Sequence, residues 1–274
     1  MRRMLTLCLI SLAVVFAQEA PSTQEASNMH KQLLEKVASS IVTVRVVMKY
    51  EFKSGDESET SEQKFSMQGA IVSSDGLILL SAMPLTAESL KQMMGIEAEQ
   101  EERFDFKLTP QSFKVIFGTE SKEYEATLVA TDSQLGLAFL KIKDLEGRVL
   151  NPIQFKDTPL TIGQELYTVS RLPKGFDYAP YFSSGRVIGE VSKPRRAFLM
   201  EGNISELGLP VYTLTGEAVG VAVLMGHGLK QDDESDFGFS MSFGGQGGTT
   251  LFILSVSTVK PLIEQASKRA VSSE

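Results

Sequence analysis

The apolar positions first recur at helical spacing, at Met29, Leu33, Leu34 and Val37, with Ser27 or Asn28 placed to cap the turn. β-Branched residues then take over in Ile41-Val42-Thr43-Val44-Arg45-Val46-Val47, the signature of a strand. Short strand-like runs come next at residues 69–73, 77–81, 113–117, 124–131, 137–142, 166–170, 182–191, 197–201, 218–224, 237–243 and 251–256. Ser74-Asp75-Gly76, between two of them, reads as a hairpin turn. Many short strands with turn signals between them predict a β sandwich or barrel, and periodicity does not choose between the two. The chain closes in a helix over 257–270. Ser257 or Thr258 caps it, Pro261 sits in its first turn, and Val259, Leu262, Ile263 and Ala266 share a face.

Two stretches break this rhythm. Residues 54–64 carry Asp56, Glu57, Glu59 and Glu62 and no large apolar side chain, which predicts a mobile hairpin loop. Residues 87–105 begin as a helix around Leu90, Met93 and Met94, then run into Glu97, Glu99, Glu101 and Glu102. The alternating oxygen-ligand pattern of a calcium loop is absent there, so the acidic run reads as a solvated helix end.

The start of the chain reads as an export signal, residues 1–17. Arg2 and Arg3 precede an apolar run over 5–16, and Val15-Phe16-Ala17 ends on small residues at cleavage spacing. A polar, flexible leader is expected over 18–28. The single cysteine, Cys8, falls inside the signal, which leaves no disulfide, thiol nucleophile or thiolate metal site in residues 18–274. An exported chain without cysteine suggests a bacterial envelope, periplasmic or extracellular, and no later run is long enough for a membrane span. The formal charge of −7 becomes −9 without Arg2 and Arg3. Nucleic acid is disfavoured, because phosphate binding needs clustered cations; Lys193-Pro194-Arg195-Arg196 reads as a solvated turn.

The residues that could carry chemistry are few. His30 lies on the polar side of the first helix and is expected to face solvent; His227 sits in a Gly226-His227-Gly228 loop. No His pair at helical spacing supports a metal. Gly244-Gly245-Gln246-Gly247-Gly248 lacks the Lys-Ser/Thr ending of a phosphate loop and reads as a strand connection. No metal or cofactor is expected.

Six segments, in order, resemble the HtrA/Deg type of trypsin-like serine protease. Leu34-Glu35-Lys36-Val37 running into Ser40-Ile41-Val42-Thr43-Val44 is similar to that family's first helix and strand. Gly69-Ala70-Ile71-Val72-Ser73-Ser74-Asp75-Gly76-Leu77-Ile78-Leu79 resembles the strand-turn-strand before its histidine. Residues 124–142 resemble its aspartate region, and Ser183-Ser184-Gly185-Arg186-Val187-Ile188 the strand before its nucleophile loop. Pro210 with Gly216-Glu217-Ala218-Val219-Gly220-Val221 resembles the stretch after its serine. Thr258-Val259-Lys260-Pro261-Leu262-Ile263 resembles the closing helix. The resemblance implies an all-β, trypsin/chymotrypsin-like double β-barrel with short terminal helices in a domain over 29–274. Barrel one is expected over 41–145 and barrel two over 151–256, with no appended peptide-binding domain.

The departures from that family decide the expected chemistry. Its histidine position falls on Met83 after Ser81-Ala82, its aspartate on Gly136 before Leu137-Ala138, and its serine on Leu207 within Ser205-Glu206-Leu207-Gly208-Leu209-Pro210. None of these three side chains takes or relays a proton. Ser205 and Leu209 stand where the family's nucleophile loop has glycines, so an oxyanion hole built on Ser205, Glu206, Leu207 and Gly208 is expected to relax, with Glu206 adding opposing charge. The expectation is therefore a non-catalytic relative that binds peptides through the cleft edge at Val223, Leu224, Met225, Gly226 and His227. Two other readings stand beside it. One is a structural or regulatory partner of an active protease, self-associated or paired with a relative. The other is a serine endopeptidase with unconventional residues.

Overall fold

A computed structural model describes residues 23–54, 57–87, 105–193, 195–204, 206–225 and 250–272. The chain opens with α1 (Thr23–Val37) and a short 3-10 turn, Ala38–Ser40. Six strands come after it: β1 (Ile41–Ser54), β2 (Glu57–Ile71), β3 (Leu77–Ser81), β4 (Asp105–Phe117), β5 (Glu123–Asp132) and β6 (Leu137–Ile142). They close a barrel in the order β1-β2-β3-β6-β5-β4. A second set comprises β7 (Glu165–Arg171), β8 (Pro180–Val191), β9 (Ala197–Gly202), β10 (Pro210–Tyr212), β11 (Ala218–Met225) and β12 (Thr250–Ser255). These close a second barrel, β10-β11-β12-β9-β8-β7. The terminal helix, α2 (Val256–Ser272), touches β5 of the first barrel and β11 and β12 of the second.

Each barrel fills its interior with inward-facing residues, as a small closed sheet must. Val44, Val46, Ile78, Leu80, Phe113, Leu140 and their neighbours fill the first. Leu166, Val187, Met200, Val211 and Ile253 help fill the second. A third apolar cluster joins the barrels. It takes Leu33 and Val37 from α1, Leu79 and Leu137 from barrel one, Val169, Leu209, Tyr212 and Val221 from barrel two, and Val259 and Ala266 from α2. The connection between the barrels laces across this seam: the Ile153 N–H donates to Ile71 and the Lys156 N–H to Ala218. Arg171, at the end of β7, is buried. Its guanidinium donates to the carbonyls of Ile41 (2.7 Å), Tyr178 (3.1 Å) and Ala38 (2.5 Å), tying barrel two to the chain leaving α1. Burial without a carboxylate partner lowers its pKa.

Several expectations need correction. The acidic stretch 54–64 is no loose loop: β1 and β2 pair without interruption from Ile41↔Ala70 to Ser54↔Glu57. β4 starts at Asp105 rather than 113 and runs beside β1 along the same arm, where Phe52 and Phe106 meet with ring centroids 4.8 Å apart. Period-two alternation at Met48, Tyr50 and Phe52 continues the barrel interior outward, and the polar residues of β2 ride on that backbone ladder. Residues 23–28, expected as flexible leader, are the first turns of α1. The three-residue β10 is too short to stand out in the residue pattern. The expected strand at 237–243, the helix around Leu90 to Met94 and the glycine run at 244–248 lie outside the described residues. Among the described residues, no helix is long and apolar enough to cross a membrane, and no cluster of His, Cys, Asp and Glu suits a metal.

Candidate functional site

Three chain segments meet where the barrels face each other. β3 ends at Ser81, and Met83 opens a 3-10 turn, Met83–Leu85, whose Leu85 is buried in the first barrel. The Ser81 hydroxyl accepts the Met83 N–H at 3.2 Å. The second segment, the turn from β5 to β6, comes alongside: the Ala82 N–H donates to the Gly136 carbonyl at 2.8 Å. Gly136 has φ +65°, and a Cβ placed there would have no atom within 4 Å.

The third segment precedes β10 and is packed far more tightly. Gly208 has φ +78°, and a Cβ added to it would lie 2.1 Å from the Ser81 nitrogen. Only glycine permits this approach of one backbone to another. The Gly208 N–H donates to Ala222 at 2.7 Å, and the Ala222 N–H donates to Leu209 at 3.0 Å, so this loop is sewn onto β11. Leu209 is 1% exposed within the cluster between the barrels. Met83 and Leu207 are half-buried.

Glu206 differs from expectation. Its carboxylate accepts a hydrogen bond from the Tyr181 hydroxyl at 2.5 Å, so its charge is engaged by β8. Burial, and then this carboxylate, raise the Tyr181 pKa, which keeps the phenol a donor. Tyr181 lies outside every motif in the sequence, and nothing in the pattern of residues marks it as a partner for Glu206. Ser205, Gly226 and His227 lie outside the described residues.

His30 corrects a second expectation. Its ring is half-buried, stacked on Phe182 at a centroid distance of 5.0 Å and edge-on to Tyr167. Nδ1 lies 2.7 Å from the Ala26 carbonyl and Nε2 3.2 Å from the Tyr167 hydroxyl. A neutral ring with its proton on Nδ1 satisfies both contacts. Burial, and after it Glu165, pushes the Tyr167 hydroxyl up to about 12, so the pair is a neutral hydrogen-bonded clasp between α1 and barrel two.

The candidate peptide edge is the end of β11. Val223, Leu224 and Met225 pair with Phe252, Leu251 and Thr250 of β12 on one side. On the other side β10 reaches only to Pro210↔Val221, and no described residue pairs with 223–225. Val223 is buried and Leu224 half-buried.

Comparisons with known proteins agree with this architecture. The trypsin-like peptidase domain family matches residues 68–221, more than half of the chain, and the chain belongs to that family. Among solved structures, it is similar to the one titled "Crystal structure of Deg5", at 18% identity and a TM-score of 0.53, covering 86% of this chain and 93% of that one. That likeness concerns the fold. No curated protein matches the chain by sequence.

Proposed function

We propose that this chain is an exported member of the trypsin-like family without peptidase activity, which binds extended peptides along the free edge of β11. The observation that carries this reading is the side-chain set at the convergence of the three segments: Met83, Gly136 and Leu207. Peptide hydrolysis on this fold needs a nucleophile, a base to take its proton and an acid to orient the base. A thioether, a hydrogen atom and an isobutyl group supply none of these. Loss of such a set together costs acyl transfer on the order of 10⁶-fold. His30, whose ring nitrogens face Ala26 and Tyr167, offers no substitute base.

The binding half of the proposal rests on backbone. Strand addition uses main-chain N–H and C=O groups and needs no triad. The unpaired side of residues 223–225 offers those groups beside Met83 and Leu207, which suits apolar side chains of an extended ligand. The test has two arms. The purified protein is incubated with casein and with a fluorophosphonate probe; neither cleavage nor labelling is expected. Labelling that disappears in Ser205→Ala would instead establish an unconventional serine enzyme. Hydrogen exchange is then measured with unfolded casein present, and slowed exchange at residues 223–225 is expected.

A further inference from the structure

β4 and β5 part company soon after they meet. Their pairing runs only from Phe113↔Ala126 to Ile116↔Glu123. Beyond it, residues 105–112 of β4 stay with β1, while residues 127–132 of β5 stay with β6. Among the described residues nothing pairs with the facing sides of these two stretches. They form a fork whose inner edges each present a row of alternating backbone donors and acceptors. At its base lies a concavity of about 480 Å³, lined by residues 110–114, 125–128 and Lys143.

The two lips of the fork differ in chemistry. Residues in register with the barrel interior line one lip: Pro110 opposes the buried Met48, and Leu128, 37% exposed, opposes the buried Leu140. Phe106 and Leu108 continue that lip along the arm, opposite Phe52 and Tyr50. The other lip is charged and its cations outnumber its carboxylates. Glu123 is shared by Arg45 and Lys114, Glu51 by Lys49 and Lys107, and Glu125 pairs with Lys143. Five cations thus meet three carboxylates, on a chain whose formal charge is −7.

We propose that this fork is a strand-addition site, separate from the β11 edge, for an extended segment that alternates acidic and β-branched apolar residues. An added strand sends successive side chains to opposite faces. One set then meets Pro110, Leu128 and Leu108, and the other meets Lys107, Lys114 and Lys143. Strand edges in stable proteins are commonly guarded by charge and proline. Pro110 does remove one donor here, but it sits at a bulge next to the base of the fork. The row over 105–109 carries no proline, and the surplus lysines repel cationic strands while attracting acidic ones.

The test uses a fluorescein-labelled hexapeptide, Glu-Val-Glu-Val-Glu-Val, and a block comparator of equal composition, Glu-Glu-Glu-Val-Val-Val. Anisotropy with the purified protein is expected to show saturable binding of the alternating peptide and weaker binding of the block peptide. Hydrogen exchange is expected to slow at residues 105–109 and 127–131 when the alternating peptide is added. The pair Lys114→Glu and Lys143→Glu is expected to weaken binding about tenfold. The pair Lys64→Glu and Lys156→Glu, with the same change in net charge, is expected to leave it within about twofold. A third variant, Leu128→Arg, probes the apolar lip and is expected to weaken binding without reversing any charge. The proposal is overturned by equal binding of both peptides, by equal loss in both charge pairs, or by no saturation up to about 1 mM. Fork amides already protected in the free protein overturn it as well. So does peptide protection confined to residues 223–225, a result that would leave the β11 reading standing.

Discussion

Gly208 and Gly136 sit in two of the three converging segments, and both hold a positive φ, yet their surroundings are opposite. Gly208 is wedged against the backbone of Ser81 and has no room for a Cβ; Gly136 has a clear 4 Å around one. On the Gly208 side the nucleophile-loop segment is fixed to β11 by reciprocal backbone hydrogen bonds and roofed by the buried Leu209. On the Gly136 side, one backbone bond to Ala82 ties the turn to β3. The contrast separates two meanings of a glycine. One is held by packing of the fold, and the other marks only a missing side chain. Substitution should therefore be costly at the first and cheap at the second.

The largest effect is expected at Gly208→Ala. The methyl group would overlap the Ser81 backbone nitrogen, and neither main chain can yield without opening the seam between the barrels. A loss above about 3 kcal/mol is expected, read as a lower urea midpoint or as failure to fold. Near-native stability would show that the loop moves freely and that the packed half of the contrast is wrong.

Arg171→Met comes next. The methionine keeps much of the volume but strips three carbonyls of their donor, two of them in the chain leaving α1. Buried acceptors without partners cost about 1–3 kcal/mol in all when neighbouring groups relax. The expected loss is about 2 kcal/mol, together with faster exchange in α1 relative to β11. Uniform loosening of the whole chain would instead deny the seam any local role.

Gly136→Asp tests the open half. A side chain at φ +65° costs about 1 kcal/mol, and no clash adds to it. From sequence alone, a carboxylate here would be expected to sit trapped in an apolar pocket; the free space around Gly136 removes that objection. Combined with Met83→His and Leu207→Ser, the variant is expected to fold and to remain near background in casein turnover. A working triad also needs backbone donors aimed at the oxyanion, and Leu209 and Ser205 stand where the family's loop has glycines. Robust turnover would show that the oxyanion loop survives, and that activity was lost through three side chains alone.

The legibility of these features in the sequence depends on the range of the interactions behind them. Strands β3 and β6 can be read to the residue, because their apolar runs end at the turns Ser74-Asp75-Gly76 and Thr131-Asp132-Ser133. The β1–β2–β4 arm cannot. Its polar ladder is held by backbone hydrogen bonds, which leave no mark on residue type. His30 reads as a solvent-facing residue because helix periodicity reports only which face is apolar, not what barrel two brings to the polar face. The wedge at Gly208 and the Tyr181–Glu206 bond are contacts between distant segments, and a single sequence carries no signal for either.

The smallest effect, and one of opposite sign, is expected inside the packed half itself. Tyr212 ends β10, is 2% exposed, and its hydroxyl meets no hydrogen-bond partner among the described residues. Burial raises its pKa far above the usual phenol range, so ionisation never relieves the hydroxyl at any working pH. An unpaired buried hydroxyl costs about 1–3 kcal/mol of desolvation, whereas its removal opens a gap smaller than a methyl group. Tyr212→Phe is therefore expected to leave stability unchanged or raise it by up to about 1 kcal/mol, in the same urea titration that scores Gly208→Ala. The two variants then bracket the seam. One shows that its backbone tolerates no extra atom, and the other that one of its side-chain atoms is a burden. A loss of about 1 kcal/mol in Tyr212→Phe would mean that the hydroxyl is satisfied after all, by a partner from outside the described residues or a buried water. In that event the packed half would owe part of its rigidity to a polar contact rather than to close packing alone.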